Sequence, residues 1–253
     1  MSCDAIINHM VFFPERTDAA AVEILPAGVE EVYIKTDDKE NLQCFLVTNK
    51  LSDKLLIYFH GNAGNIYERL PELIDLAKTG VNVLGVGYRG YGKSTGKPSE
   101  KGIYNDGLTA LSFAQDKLNI SMNKIFICGR SIGTAVAINT SRKKQVAGVI
   151  LITPLTSGRD VAGVHGFGPL AIIAGDALNN LRKCARIESP VLIIHGNKDE
   201  VIPWTMGEKV FAALRGSKKM VTIEGGQHND LEFINPDLYW QTIEEFVGLN
   251  SVG

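Results

Sequence analysis

Short apolar runs and helical patterns alternate along this chain from residue 54 onward. The stretch Leu55–Phe59 is apolar at every position, which is typical of a strand buried on both faces of a sheet. Further strands are predicted at residues 81–86, 125–128, 146–152, 191–194 and 220–223. Helical spacing of apolar side chains predicts helices at residues 66–78, 103–118, 132–140, 206–214 and 238–247. This alternation predicts an α/β fold with a mainly parallel sheet and helices on both faces.

Two parts of the chain depart from this alternation. Residues 32–35 and 42–48 alternate between polar and apolar side chains, which predicts an antiparallel ribbon before the parallel strands. The interval between the strands at 146–152 and 191–194 is irregular, and we expect a short cap insertion at about residues 154–189. Because no long linker, low-complexity stretch or fixed-period repeat interrupts the chain, we expect a single domain over residues 1–253.

The segment Gly129-Arg130-Ser131-Ile132-Gly133 lies between a predicted strand and a predicted helix. Strand, Gly-x-Ser-x-Gly and helix is the layout of a nucleophile elbow, in which a strained turn lifts the serine hydroxyl out of the sheet. Glycines are needed on both sides because a Cβ would clash where strand and helix approach so closely. The pentapeptide alone is weak support, so the hypothesis depends on the residues that follow it.

A serine hydroxyl needs a base to take its proton, and the base must be oriented by a third group. Asp199 follows the strand at 191–194 and is the candidate acid, with Glu200 as its nearest rival. His228 follows the last predicted strand and is the only histidine after Asp199. The sequence therefore predicts a triad of Ser131, Asp199 and His228, in the order serine, acid, histidine. The remaining histidines are expected to be poorer bases because of their positions in this order: His9, His60, His165 and His195.

Acyl transfer also requires donors for the oxyanion. One is the backbone N–H of Ile132, at the start of a helix whose dipole favours negative charge. We assign the second to the N–H of Asn62, in the small-residue loop at 60–65 that follows the strand Leu55–Phe59. His60, in the same loop, is expected to be a packed structural residue rather than a catalyst.

Residues 87–94 match the phosphate-loop pattern G-x-x-x-x-G-K-[ST] and follow a predicted strand. A phosphate loop must open into a helix at its Lys-Ser, so that helix N–H groups surround the phosphates. Here Gly96 and Pro98 follow at once and stop a helix. We therefore expect a structured loop on the rim of the active site, and a nucleotide-binding protein is the weaker alternative.

Composition narrows the classes of partner. The chain is 45% hydrophobic with a net charge of -2, and its acids and bases are interspersed, so it offers no basic face for nucleic acid. No apolar run reaches the roughly eighteen residues of a transmembrane segment, and residues 1–10 lack the pattern of a secretory signal. Four cysteines without metal or disulfide spacing favour a reduced, cytoplasmic setting: Cys3, Cys44, Cys128 and Cys184. We expect no metal and no organic cofactor, and the oligomeric state stays open.

Five motifs in order resemble the α/β-hydrolase superfamily, in the branch of the Bem46-like hydrolases and the eukaryotic protein depalmitoylases. They are His60-Gly61-Asn62-Ala63-Gly64-Asn65, Tyr88-Arg89-Gly90-Tyr91-Gly92-Lys93-Ser94, Gly129-Arg130-Ser131-Ile132-Gly133, His195-Gly196-Asn197-Lys198-Asp199-Glu200 and Gly226-Gln227-His228-Asn229-Asp230. The resemblance covers about residues 12–246 and implies an α/β-hydrolase fold and a serine hydrolase with Ser131, Asp199 and His228 as its triad. Gly87 stands where the family usually has an acidic or amide residue.

The cap region mixes apolar side chains with glycines at residues 161–173. We expect a small, mobile cover that admits an acyl chain, with Phe167, Leu170 and Ile172 touching the substrate; the alternative is a cap that only completes the core. The sequence thus predicts a hydrolase of carboxylic esters or thioesters in small-molecule or acylated substrates, acting through an acyl-enzyme. A peptidase or amidase of the same fold, and a non-catalytic binding module, are the other hypotheses.

Overall fold

The computed structural model describes residues 11–18, 24–142, 144–166 and 176–249. Its strands are β1 (Phe13–Pro14), β2 (Val29–Lys35), β3 (Asn41–Val47), β4 (Leu55–Phe59), β5 (Ala63–Gly64), β6 (Asn82–Val86), β7 (Ile125–Arg130), β8 (Gly148–Ile152), β9 (Val191–Gly196) and β10 (Lys218–Ile223). Its helices are α1 (Leu70–Lys78), α2 (Glu100–Asp116), α3 (Gly133–Ser141), α4 (Gly158–Val164), α5 (Leu181–Cys184), α6 (Trp204–Ala213), α7 (Leu231–Ile234) and α8 (Pro236–Leu249).

Eight of these strands form one sheet in the order β10-β9-β8-β7-β4-β6-β3-β2. The strands from β10 to β6 in this order pair in parallel. Strands β2 and β3 pair antiparallel, and β3 also runs antiparallel to β6. The predicted mainly parallel sheet and its early antiparallel ribbon are therefore confirmed. A separate ribbon of β1 and β5 was not predicted, because two residues are too short to show a period.

Helices cover both faces of the sheet, as the continuous apolar strands predicted. In β4, Leu55, Ile57 and Phe59 belong to one core cluster, which also contains apolar residues of α2, α3 and α6. Leu56 and Tyr58 point the other way, into a second cluster with α1 and α8. All five side chains are fully buried. The central strands are thus fixed from both sides, so the loops at their carboxyl ends start from rigid positions.

The helices begin at positions other than the predicted ones where a polar side chain caps the first turn. Helix α2 begins at Glu100, before the predicted start at residue 103, because the Ser99 hydroxyl accepts a hydrogen bond from the Gly102 N–H at 3.1 Å. This is an ordinary N-cap, and it leaves no trace in the spacing of apolar residues. The helix predicted at 66–78 starts with a 3₁₀ turn at Tyr67–Arg69 and is α-helical from Leu70.

The loop at 87–94 is not built as a phosphate loop. No helix begins at its Lys-Ser; the next helix in the chain is α2. The Lys93 ammonium lies 3.3 Å from a Glu31 carboxylate oxygen, and the Ser94 hydroxyl donates to the Gly87 carbonyl at 3.0 Å. Both side chains that would hold a phosphate therefore already contact groups of the protein.

The same loop supports the residues at 60–65 from behind. The Tyr88 hydroxyl donates to the His60 carbonyl at 2.8 Å, and the Tyr91 hydroxyl donates to Asn62 Oδ1 at 3.1 Å. Both tyrosines are buried. No residue of the loop is among the described residues that line the cavity beside Ser131. The prediction of a rim position was therefore wrong, because the buried side chains of Tyr88 and Tyr91 pack against the loop at residues 60–65 instead.

The expected cap region contains helices α4 and α5. The Gly158 N–H donates to the Ala177 carbonyl and the Asn180 N–H donates to the Thr156 carbonyl, each at 2.9 Å, so the two ends of the segment are held together. Three predicted substrate contacts lie outside the described residues: Phe167, Leu170 and Ile172. In the described part of the chain, no helix combines the length and apolar character needed to cross a membrane.

A buried ionic cluster joins the 87–94 loop to helix α2. The Arg89 side chain donates to Asp106 Oδ1 at 2.8 Å and to Asp38 Oδ2 at 2.7 Å, and the Arg89 backbone N–H donates to Asp106 Oδ2 at 2.9 Å. Asp106 has no exposed surface. Burial raises the pKa of its carboxyl, although the hydrogen bonds from Arg89 oppose this. Such a pair costs desolvation energy to form, but removing one partner leaves a buried charge uncompensated.

We therefore expect Asp106→Asn to lower the free energy of unfolding by about 3–5 kcal/mol, because Arg89 then loses its buried countercharge. Chemical denaturation monitored by circular dichroism measures this. Asp53→Asn is the matched control: Asp53 pairs with Lys124 at 2.6 Å but is exposed, so its loss should leave the free energy of unfolding close to that of the wild type. Equal effects of the two substitutions would contradict the role given to the buried cluster.

Candidate active site

Ser131 occupies a strained turn between β7 and α3. Its φ is 55°, in the left-handed region that a serine rarely adopts. A Cβ at Gly129 would lie 2.3 Å from the Gly133 carbonyl oxygen, and one at Gly133 would lie 2.1 Å from the Phe59 carbonyl oxygen. Both glycines are therefore required, as the sequence predicted. The turn leaves the Ser131 side chain at the wall of a cavity.

The structure brings His228 and Asp199 to Ser131. His228 Nε2 lies 3.0 Å from Ser131 Oγ, and His228 Nδ1 lies 2.8 Å from Asp199 Oδ2. A carboxylate only accepts hydrogen bonds, so Nδ1 carries the proton of the neutral ring and Nε2 presents its lone pair to the serine hydroxyl. The rival acid Glu200 is exposed, and its neighbour Asp199 is buried.

The Asp199 carboxylate is held by donors on both oxygens. Oδ1 accepts from the backbone N–H groups of Val201 at 2.9 Å and Ile202 at 2.8 Å. Oδ2 faces His228, and His195 Nε2 at 3.3 Å. Burial alone would raise the pKa of Asp199, but hydrogen bonds from His195 and His228, and the N–H of Ile202, lower it well below its ordinary value. The acid therefore stays ionised and fixed in orientation at neutral pH.

His195 helps to position Asp199, a role that the sequence analysis did not predict. It was considered only as a base, but it is fully buried, with Nε2 at 2.8 Å from the Ile202 carbonyl oxygen and close to Asp199. A Cβ at Gly207 would lie 2.4 Å from its Nδ1, so the ring is tightly packed against α6. The signal available in the sequence was the spacing of four residues between His195 and Asp199 across the end of β9.

The two predicted oxyanion donors lie beside the serine. Asn62 and Ile132 both line the cavity with Ser131, and Ile132 immediately precedes α3. Neither backbone N–H donates a hydrogen bond to any residue that the structure describes. The Asn62 side chain is held from two sides, since its Oδ1 accepts from the Phe13 N–H at 3.2 Å and from the Tyr91 hydroxyl. Among the described residues, both backbone N–H groups are therefore without an acceptor, and both belong to residues that line the same cavity as Ser131.

His60 is a packed residue, as expected. It is fully buried, its Nδ1 lies 2.7 Å from the Gly61 carbonyl oxygen, and its ring centroid is 4.4 Å from that of Tyr88. Burial lowers the pKa of His60 to about 3, so the ring is neutral at physiological pH. Its position supports the loop that carries Asn62.

A cavity of about 1080 Å³ opens next to Ser131. One part of its lining is apolar and comes from the N-terminal segment, the described part of the cap and the loop after β9: Val11, Phe13, Leu155, Val161, Leu178 and Val201. Another part carries charged side chains of α1, β7 and α7: Glu72, Asp75, Arg130 and Glu232. The site thus offers both an apolar wall and a polar wall to a substrate bound at Ser131. Among the described residues, no group of three or more His, Cys, Asp or Glu side chains is arranged to hold a metal ion.

Comparisons by sequence find relatives over nearly the whole chain. A family model described as serine aminopeptidase, S33, matches residues 51–182. An uncharacterised protein of Mycobacterium tuberculosis is 31% identical over 249 residues, which are 97% of this chain and 88% of the relative. Human alpha/beta hydrolase domain-containing protein 17B is 31% identical over 230 residues, which are 85% of this chain and 78% of the relative.

Comparisons by structure find esterases with the same fold. An esterase of Pyrococcus furiosus superposes with a TM-score of 0.78 at 22% identity, over 94% of this chain and 98% of that one. An acetyl xylan esterase of Thermoanaerobacterium superposes with a TM-score of 0.71 at 15% identity, over 89% of this chain and 86% of that one. At such identities the likeness concerns the fold alone.

The lowered pKa of Asp199 predicts how stability depends on pH. Because the pKa in the folded state lies below the ordinary value near 3.9, ionised Asp199 stabilises the fold above about pH 5, and this stabilisation is lost as the pH falls below about 4. At pH 7 we expect the free energy of unfolding of Asp199→Asn to be about 1.5–3 kcal/mol lower than that of the wild type. The gap should shrink steadily between about pH 4 and pH 2.

Urea denaturation at a series of pH values measures this gap. The matched control is Glu200→Gln, which changes the exposed neighbouring carboxylate and should follow the wild-type curve. A gap that stays constant down to pH 2 would mean that the Asp199 charge does not contribute as described.

Proposed function

The chain belongs to the α/β-hydrolase superfamily, in the branch of the Bem46-like hydrolases and protein depalmitoylases, and we propose that it is a serine hydrolase of carboxylic esters or thioesters. The observation that carries this proposal is the continuous hydrogen-bonded series from Ser131 Oγ to His228 at 3.0 Å and from His228 to Asp199 at 2.8 Å. In this proposal Ser131 is the nucleophile, His228 the base and Asp199 the orienting acid.

The reaction begins when His228 Nε2 takes the proton of Ser131 Oγ as the oxygen bonds to the substrate carbonyl carbon. The carbonyl π electrons move onto its oxygen, which the N–H groups of Asn62 and Ile132 then hold. The bond from carbon to the leaving oxygen or sulfur breaks, and His228 returns the proton to the leaving group. Water then repeats the sequence: His228 takes its proton, hydroxide adds to the acyl carbon, and Ser131 Oγ leaves and recovers a hydrogen.

Asp199 makes each of these proton transfers easier. The imidazolium that forms on His228 is stabilised by a carboxylate that stays ionised, and its hydrogen bond fixes the ring so that Nε2 faces Ser131. The backbone N–H groups of Val201 and Ile202, with His195 packed beside the other oxygen, hold the carboxylate in its orientation toward His228.

The apolar wall of the cavity supports an acyl chain as the bound part of the substrate. Its residues come from segments that are far apart in sequence but meet at Ser131, and Val161 on α4 belongs to the cap expected to cover an acyl chain. Each methylene removed from water contributes about 0.8 kcal/mol, so a chain that follows this wall gains affinity with length. We propose acylated small molecules as the substrate class.

An aminopeptidase is the second candidate, and the family description as serine aminopeptidase is what favours it. The same triad attacks an amide, but an amine is a poorer leaving group than an alkoxide or thiolate.

The nucleophile can be tested with a fluorophosphonate probe. We expect one covalent adduct on the wild type and none on Ser131→Ala, read by intact mass. Asp199→Asn should keep the fold but react or turn over roughly 10³–10⁴-fold more slowly, because the histidine loses its orientation. An adduct that survives in Ser131→Ala, or a folded wild type that takes none, would refute the proposal.

The substrate class can be tested with p-nitrophenyl esters of increasing chain length beside aminoacyl p-nitroanilides. We expect kcat/KM to rise with acyl length, and Val161→Asp to raise KM for the long esters roughly 10–100-fold, because it introduces a charge into the apolar wall. Val164→Asp is the matched control, since Val164 lies on the same helix but is exposed and is not among the described residues lining the cavity. Faster cleavage of the anilides than of every ester would favour the aminopeptidase.

A further inference from the structure

We infer that Arg130 is a positioning residue for His228, because its guanidinium holds the segment that follows β10 against the strand that ends at Ser131. This inference rests on the proposed function, since it assigns a purpose to a side chain outside the triad. Arg130 is the last residue of β7 and the direct neighbour of Ser131. Its own backbone therefore fixes the nucleophile, and its side chain contacts the part of the chain that carries the base.

The contacts of the Arg130 guanidinium fall on both sides of the site. On one side, Nη1 lies 3.2 Å from Glu72 Oε1 on α1. On the other, Nη1 and Nη2 lie 3.0 Å and 3.2 Å from the two carboxylate oxygens of Glu232 on α7, and Nη2 donates to the His228 carbonyl at 3.4 Å. Helix α7 begins three positions after His228, at Leu231. Arg130 thus grips the His228 segment at two points.

The contacts of Arg130 with Glu232 and with the His228 carbonyl, which we call the clamp, have a fixed geometry. A guanidinium and a carboxylate joined by two parallel hydrogen bonds have a fixed relative orientation, which a lysine ammonium cannot reproduce. Arg130 is 8% exposed, so solvent screens these interactions weakly. Glu72 is held in turn by the Tyr58 hydroxyl, which donates to its Oε2 at 2.7 Å. Since Tyr58 lies in β4 at the centre of the sheet, the clamp is anchored in the most buried part of the fold.

The His228 segment needs such an anchor on the side of Ser131. Other hydrogen bonds hold the segment to the loop after β9: the ring donates to Asp199, the Gly225 N–H donates to Asn197 Oδ1 at 2.8 Å, and the Gly226 carbonyl accepts from the Lys198 N–H at 2.9 Å. A displacement of about 1 Å between nucleophile and base is enough to cost about 100-fold in rate.

A purely structural ion pair would make the same contacts, so the test must separate the two roles. Groups that act through one another show non-additive effects, whereas independent supports add. If Arg130 acts by placing His228, then it has nothing left to place once the imidazole is gone.

The experiment uses Arg130→Lys, with Glu232→Gln as a second variant that removes the clamp from the other partner. We expect either substitution to lower the rate of fluorophosphonate labelling and kcat for a p-nitrophenyl ester roughly 10–100-fold, with KM changed less than about threefold. In the His228→Ala background, adding Arg130→Lys should change the residual rate of ester hydrolysis less than about twofold. Arg182→Lys is the matched control, because its pair with Asp176 at 2.6 Å is exposed, and it should leave the rate unchanged.

The outcomes are distinguishable. If Arg130→Lys lowers the rate by the same factor with and without His228, Arg130 is only a structural support and the inference is wrong. The inference is equally wrong if folded Arg130→Lys and Glu232→Gln both react at the wild-type rate. If the wild type itself takes no probe, the proposed function fails, and the inference fails with it. Should Arg130→Lys not fold, Glu232→Gln, which leaves Arg130 paired with Glu72, decides alone.

Discussion

The close approach of helix α3 to strands β4 and β7 is the constraint on which the site depends. A side chain at Gly129 or Gly133 would overlap backbone atoms of the neighbouring element, so the two glycines set how near the helix can come. Because the helix comes so near, Ser131 is forced into its left-handed conformation and the N–H of Ile132 lies beside it. Gly61 lies at ordinary contact distance from this turn, since a Cβ there would be 3.7 Å from the Ser131 Cβ. The positions of the proposed nucleophile and of the Ile132 donor therefore follow from one packing geometry.

The buried charged groups around this site are stabilised by hydrogen bonds and ion pairs to their polar atoms. The carboxylate of Asp199 is buried yet remains ionised because both of its oxygens accept hydrogen bonds, and Arg130 is buried yet neutralised by two glutamates. Neither group could be buried alone at an acceptable free energy. His228 lies between the two systems, with its ring on Asp199 and its carbonyl on Arg130. The histidine is consequently the point at which two separate ionic networks meet.

The order of apolar runs was enough to predict the fold, and the three residues Ser131, Asp199 and His228 could be chosen because each follows a strand of a parallel sheet. What could not be predicted are contacts among residues with no common period. His195 and Arg130 look, in the sequence, like an unused histidine and an unspecified position within a motif. Their partners become known only when the tertiary structure brings β7, β9 and α7 together. The position of the 87–94 loop was predicted wrongly for the same reason, because Tyr88 and Tyr91 are turned inward by packing that no local pattern records.

The strand order has a consequence for the biosynthesis of this protein. Strand β10 lies at the edge of the sheet and is also the last strand in the chain, and His228 comes only after it. During translation, β4, β7 and the turn at Ser131 emerge well before Asp199 and His228, the proposed acid and base. A nascent chain can thus form its strained serine turn early, but the serine has no partner to take its proton until the final strand has left the ribosome. On the proposed function, this topology delays the pairing of Ser131 with its base until β10 has been synthesised.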